Sequence, residues 1–344
     1  MLMRICVAMT FTFSTCAAAL AQLGPDTIKP YPLPTAVQRS VNELAAQSDV
    51  LILGEIHGTQ EVPAVAAALL APLTELGYQV LALEVPADQQ ASLTAWATGK
   101  TTAVPSFFAM PSDDGRGSIE ALKLIHTALS PPFRWKLICF DLTEEDMQRQ
   151  IAEMNHDAGQ GAQGKTKPKS ESERMIAFSL RQDSVMASNL ADQLRHVPTE
   201  AKVLAICGNL HARTANRSKL EMLGIALWPS FAAVLQSNQP ARRVRSINIE
   251  LHGGGFFNDG KVNVVNGRQL DHAESHLTPE SDWDLELGLP HATPATFEAT
   301  PSNAATPAAP AEPVSKSCAT DRAERPSQRY RRSRLRRFRR SCRN

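Results

Sequence analysis

Hydrophobic positions in this 344-residue chain fall into short dense runs, separated by longer stretches in which apolar residues recur every three or four places. Four runs are bounded by polar or turn residues and are too short for a helix: VLILG from Val50, QVLALEV from Gln79, WKLICFD from Trp135 and KVLAICG from Lys202. Each predicts a buried strand. A fifth, RVRSINIEL from Arg243, alternates more and predicts a half-exposed or edge strand. Between them PAVAAALLAPLTEL, SIEALKLIHTAL and SERMIAFSLRQDSVMASNLADQLR carry helical spacing. Strand and helix in alternation predict an α/β fold, a layered sandwich with a mostly parallel central sheet flanked by helices. Ligands of such sheets collect outside the carboxyl ends of the strands.

The two ends depart from this pattern. Met1–Ala21 has one early Arg4, an apolar middle and a small-x-small close at Ala19-Leu20-Ala21, which predicts a signal peptide cut before Gln22. The protein is then exported, to the periplasm or beyond the cell. The folded body is expected over 22–290, with a flexible insert at about 157–172. A Pro/Ala/Thr-rich linker, 291–320, leads to an Arg-rich disordered tail, 321–344. The tail holds 11 Arg against Asp321 and Glu324, while the whole chain nets +1. An acidic body of about −8 therefore precedes it. Outside the cytoplasm such a tail suits an anionic envelope component and makes nucleic acid an unlikely partner; a second copy of the chain is a further partner to test. Cys318 and Cys342 could pair in the tail, and no CxxC spacing supports a structural zinc knot.

Three motifs mislead. GQGAQGKT, Gly159 to Thr166, spells a phosphate loop, yet no strand precedes it and Pro168 interrupts the helix that should follow. HGGG, His252 to Gly255, copies an esterase oxyanion turn, but the chain has no GxSxG nucleophile elbow. His272 and His276 have the i, i+4 spacing of a metal pair around Glu274, although their flanks read as a solvated surface loop.

What survives is a set of polar groups at strand ends: Glu55 and His57, Glu84, Asp141 and His211. A core accepts such groups only if they are paired, hydrogen-bonded or metal-bound. VLILGEIH and LAICGNLH share an apolar run followed by Gly-x-x-His, at Gly54–His57 and Gly208–His211, which suggests a duplicated half-unit with one His from each half. Converged, the groups could hold a divalent cation such as Zn or Mn through His57, His211 and Glu55. Equally, they could activate water directly. Gly54, Gly58 and Gly208 would let the chain turn and a ligand approach backbone, with Gly58 opening a helix whose amino end suits an oxyanion. Asn209 lies inside the second motif, and Arg181 and Asp183 lie one helix upstream, as a surface pair or as site residues.

LGEIHGTQE, LALEV, LRQDSVMASNL and LAICGNLH, in that order, resemble the superfamily joining ChaN-type haem-uptake proteins, erythromycin esterases and Tiki/TraB proteases. The likeness covers most of Asp49 to His211. It implies that Glu55 and His57 match the first GExH, Glu84 the second-strand carboxylate, Asp183 to Asn189 a D-x-x-M-A-x-N stretch and His211 the second GxxH. Members include metal-dependent proteases, metal-independent esterases and haem binders. The resemblance thus implies hydrolysis of a small-molecule ester or a peptide, with haem or metal uptake as the alternative. The Glu-x-His spacing here is that of the ChaN type, whereas HGTQE is esterase-like. Haem in the ChaN type implies a tyrosine ligand, and this chain has Tyr31, Tyr78 and Tyr330.

Overall fold

The computed structural model describes residues 27–109, 114–161, 170–222, 224–277 and 280–297. The expected signal peptide, the Arg-rich tail with its cysteines and Tyr330, and 162–169 of the expected insert lie outside the described residues. Gly159–Gly161 close a helix, so the phosphate-loop look-alike begins inside a helix rather than in a loop.

Seven strands form one sheet in the order β10-β11-β7-β1-β4-β2-β3. At its centre β1 (Val50–Glu55) and β4 (Lys202–Gly208) pair in parallel, with Glu55 opposite Gly208. Both are dense apolar runs because both faces are covered, which is why neither alternates. On one side of this pair lie β2 (Tyr78–Pro86) and β3 (Lys136–Asp141), and on the other β7 (Val244–Leu251), β11 (Leu285–Leu289) and β10 (Glu274–His276). Within this sheet, among the described residues, only the β10–β11 pairing is antiparallel. Two short hairpins complete the strands: β5 (Glu221–Met222) with β6 (Ile225–Ala226), and β8 (Gly255–Asn258) with β9 (Lys261–Val264).

Helices cover both faces. Against the one carrying Leu51, Leu53, Leu81 and Ile247 pack α1 (Thr35–Ala46), α2 (Glu61–Glu75), α3 (Gln90–Ala97) and α4 (Ile119–Leu129). Against Val50, Ile52, Ala82 and Val203 pack α6 (Glu171–Leu194) and α7 (Phe231–Asn238), with Met147 and Ile151 of α5 (Glu144–Gly161) at the margin. Helix α6 opens on a capping box between Ser170 and Glu173. Among the described residues no helix is long and apolar enough to cross a membrane.

Three expectations need correction. Strand β7 is interior, hydrogen-bonded to β1 and β11, rather than an edge. Its polar residues Ser246 and Asn248 are buried on one face of the sheet, so alternation there marks a polar interior rather than solvent. Glu274–His276 is the edge strand β10, not a loop. The ordered body also runs past residue 290. Thr293 and Thr296 donate backbone N–H to Glu61 and Glu120, and Ala295 donates to Gly58, so the start of the stretch read as linker is docked through Phe297.

Candidate active site

The carboxyl ends of β1, β4, β2 and β3 bring Glu55, His57, Glu84, Asp141 and His211 together. His57 follows β1, and its Nδ1 lies 2.7 Å from Glu55 Oε1. His211 follows β4, and its Nδ1 lies 2.6 Å from Asp183 Oδ1. The far nitrogens face one buried carboxylate between them: His57 Nε2 is 3.6 Å from Glu84 Oε2, and His211 Nε2 is 4.0 Å from Glu84 Oε1. Gly208 sits between the rings. A Cβ there would lie 3.1 Å from His57 Nε2 and 3.2 Å from His211 Cδ2, so the imidazoles approach as they do because this position has no side chain.

Helix α6 decides which of its polar residues arrives. Met186, Ala187, Leu190, Ala191 and Leu194 form its buried stripe, and Asp183 continues that stripe one turn toward the amino end. Asp183 therefore faces the sheet, where Oδ1 also accepts the Phe231 N–H at 2.9 Å, the first N–H of α7. Arg181 is off the stripe and pairs instead with Glu153 of α5 at 3.1 Å on the surface. It takes no part in the site.

The residue that sequence reasoning missed is Arg116. Its guanidinium reaches Glu84 Oε1 at 3.0 Å, the Glu84 carbonyl at 3.0 Å, Asp141 Oδ2 at 2.6 Å and Asp114 Oδ2 at 2.9 Å. It comes from the loop before α4, in DDGRGS, where Gly115 has a φ of +86° and packs so tightly on Gly58 that a Cβ would lie 2.4 Å from the Gly58 Cα. A lone arginine between two glycines, after two acids, was the available signal. Asp141 is further held by Gln182 Nε2 at 3.1 Å and the Leu142 N–H at 2.8 Å, while Asn189 Nδ2 caps the Phe140 carbonyl at 3.3 Å.

The glycines and Asn209 serve differently from expectation. Gly54 makes room for the turn after β4, since a Cβ would lie 2.8 Å from Ala212 Cβ. Gly58, at φ +81°, does not open a helix; α2 starts at Glu61. Its own carbonyl accepts from Phe257 and Ala295, and Phe257 O fills the place of a Cβ at 1.8 Å, so it knots three segments rather than greeting an oxyanion. Asn209 contributes backbone: its N–H donates to the Glu55 carbonyl at 2.8 Å, and its carbonyl accepts from Trp283 Nε1 at 3.2 Å.

Electrostatics follow from this packing. Burial alone would lower the pKa of His211, but Asp183, then Glu84, overturn that and raise it to about 9. For His57 burial is likewise outweighed, by Glu84 and Glu55, and the pKa rises. Glu84 is pulled below the usual carboxylate range against its burial, by Arg116 first and then by both imidazoles and the Gly208 N–H. Burial pushes up both Cys139 and Cys207, the latter well above its ordinary value, so neither thiol is a ready nucleophile.

A divalent cation on His57, His211 and Glu55 does not fit these donors. Glu55 lies behind His57, on Nδ1, while the free side of the ring faces Glu84. Both Glu84 oxygens are taken, by Arg116 and by the Gly208 N–H at 2.7 Å. A guanidinium stands where a cation would need its counter-charge. Of the tyrosines, Tyr78 is a core residue whose hydroxyl donates to the Ala45 carbonyl.

No protein-family model and no curated protein matches the chain by sequence. Solved structures do match. A Bacillus cereus protein aligns with a TM-score of 0.52 at 14% identity, over 79% of this chain and 96% of its own. An erythromycin esterase mutant, EreC, in its open conformation, aligns with a TM-score of 0.50 at 14% identity, over 75% and 94%. The chain has the fold of the erythromycin esterase EreC. The order of motifs from Glu55 to His211 is thus met by the fold it implied. A structure of cofacial heme binding to ChaN of Campylobacter jejuni also matches, with a TM-score of 0.43 at 14% identity, over 72% and 90%.

Proposed function

We propose that this protein hydrolyses an ester or amide bond of a small molecule or peptide, using water activated by His57 without a metal at that site. One observation carries the reading: two imidazoles, each held at Nδ1 by its own carboxylate, present their free nitrogens to a shared, charge-clamped glutamate. A carboxylate on Nδ1 fixes the tautomer that leaves Nε2 free to take a proton. His57 Nε2 removes a proton from water as its oxygen attacks the carbonyl carbon. His211, whose pKa of about 9 keeps it an imidazolium at neutral pH, gives its Nε2 proton to the leaving oxygen or nitrogen. Water thus ends as the hydroxyl of the acid product and the proton on the leaving group, after the two rings re-equilibrate through solvent. Glu84 stabilises the imidazolium that His57 becomes on taking the proton and the one from which His211 donates, and Arg116 keeps Glu84 ionised.

The leader-like Met1–Ala21 supports placing this activity outside the cytoplasm. His57→Ala and His211→Ala are each expected to lower kcat on a responsive ester or peptide by at least about 100-fold, with an unchanged far-UV circular dichroism spectrum. Full activity in either variant removes the proposal. Titration with haem gives the contrasting readout: a Soret shift that saturates at one equivalent would favour a binding role over hydrolysis.

A further inference from the structure

From a second cluster, on strands β7, β11 and β10, we infer a binding site for a first-row divalent cation, Zn or Mn, held by Glu250, His276 and Glu286. One ligand atom from each lies within 4.8 Å of the others. The register makes this more than chance proximity. His276 is directly opposite Glu286, Glu286 is opposite Asn248, and Gly288 separates Glu250 from Glu274. With no side chain at Gly288, where a Cβ would lie 3.2 Å from His252 Nε2, the His252 ring packs beside Glu250, its Nε2 3.5 Å from Glu250 Oε2, on the sheet face opposite Leu285, Leu287 and Leu289. The donor set is chemically coherent, since two carboxylates balance a dication and one imidazole selects Zn or Mn over Mg or Ca.

A separate observation points to a missing ligand. Asn248 is 4% exposed, and its Nδ2 lies 3.4 Å from Glu250 Oε1, inside the cluster. Its Oδ1 is buried with no hydrogen-bond partner among the described residues. Such an orphaned carbonyl is costly unless something positive meets it. The imidazole is also pre-set. Nε2 of His276 lies 2.8 Å from Glu286 Oε2, a contact in which a cation would replace the shared proton, and the buried Nδ1 has Glu274 Oε1 at 4.0 Å. A carboxylate behind a metal-binding histidine orients it in this way, and Glu274 is itself held by Arg268. These ligands come from strands other than those bearing the two activated histidines. A cation here would clip the edge strand β10 to the interior strand β7.

The test is direct titration of the purified, chelator-stripped full chain with zinc chloride and with manganese chloride, by calorimetry and elemental analysis. One equivalent of at least one of them should bind, raising Tm by about 3 °C or more at saturation. His276→Ala and Glu286→Gln should each weaken binding by about tenfold or more, and His211→Ala should leave it unchanged. Circular dichroism checks folding of each variant, and Glu250→Gln asks the same question should His276→Ala not fold. Binding below about 0.2 equivalents for both metals, binding that survives all three ligand variants, or binding lost in His211→Ala would overturn the assignment. None of these results bears on hydrolysis at His57.

Discussion

Replacing Asp183 by Asn removes one charge and little else. The amide oxygen can still accept from His211 Nδ1 and from the Phe231 N–H, so the geometry behind the imidazole is kept while its counter-charge is lost. In the native protein His211 titrates near 9 instead of an ordinary 6.5, and Asp183 is the largest of the influences raising it. A gap of that size corresponds to about 3 kcal/mol of stability. Because the folded pKa is raised, that contribution is fully present below pH 6.5 and disappears as pH climbs through 9. Asp183→Asn should therefore cost about 3 kcal/mol in urea melts at pH 6 and almost nothing at pH 10, where the native imidazole is neutral. Histidine Cε1 proton shifts should place the His211 midpoint at or below its ordinary value. If the proposed hydrolysis holds, the alkaline limb of a bell-shaped rate profile, set by His211 losing its proton, should move down with it. A destabilisation equal at pH 6 and pH 10, or an unmoved midpoint, would refute the account of His211 as a cation held by Asp183.

Two further substitutions probe the frame around the rings. Gly208→Ala would set a methyl 3.1 Å from His57 Nε2, so the imidazoles must shift by a few tenths of an ångström. We expect kcat to fall about tenfold or more, with a melting temperature close to native; unchanged turnover would show that ring spacing is not critical. Arg116→Met leaves Glu84 and Asp141 buried without their cation and should cost about 3 to 5 kcal/mol in denaturant melts. Arg181→Ala, which removes only a surface pair, should stay within about 0.5 kcal/mol. Comparable losses in the two arginine variants would contradict the assignment of Arg116 as the electrostatic clamp.

The strands that carry the site were readable because burial on both faces writes them as unbroken apolar runs, as in VLILG and LAICG. Strand β7 was harder, since Ser246 and Asn248 look solvent-directed in one dimension and turn inward only when β11 and β10 are laid beside them. The choice between Arg181 and Asp183 was in fact available from the sequence: Asp183 is three residues before Met186 and four before Ala187, in line with the buried stripe, and Arg181 is not. Arg116 was not available in that way. Its place depends on Gly115 meeting Gly58, a tertiary contact between loops some sixty positions apart in the chain, for which local spacing holds no trace. Nor does spacing tell which imidazole nitrogen a neighbouring carboxylate takes, and for Glu55 that choice turns a candidate metal ligand into an orienting partner.

The strand order explains why two motifs so distant in sequence share a pocket. The connection leaving β1 passes β4 to reach β2, whereas the one leaving β4 passes β1 to reach β7, so the connections diverge at the β1–β4 pair. Such a reversal opens a crevice at the carboxyl ends of the two strands, and both Gly-x-x-His segments begin there. The lining is unequal in charge. Glu55, Glu84, Asp114, Asp141 and Asp183 stand against Arg116 and two imidazoles, leaving an acidic excess even when both rings are protonated. Arg116 is already shared among three carboxylates and has little to offer an incoming anion. Under the proposed hydrolysis, a substrate bearing its own carboxylate near the scissile bond would enter against that excess with no free cation among the described residues lining the crevice to meet it, so the proposed reaction calls for a neutral or cationic ester or amide.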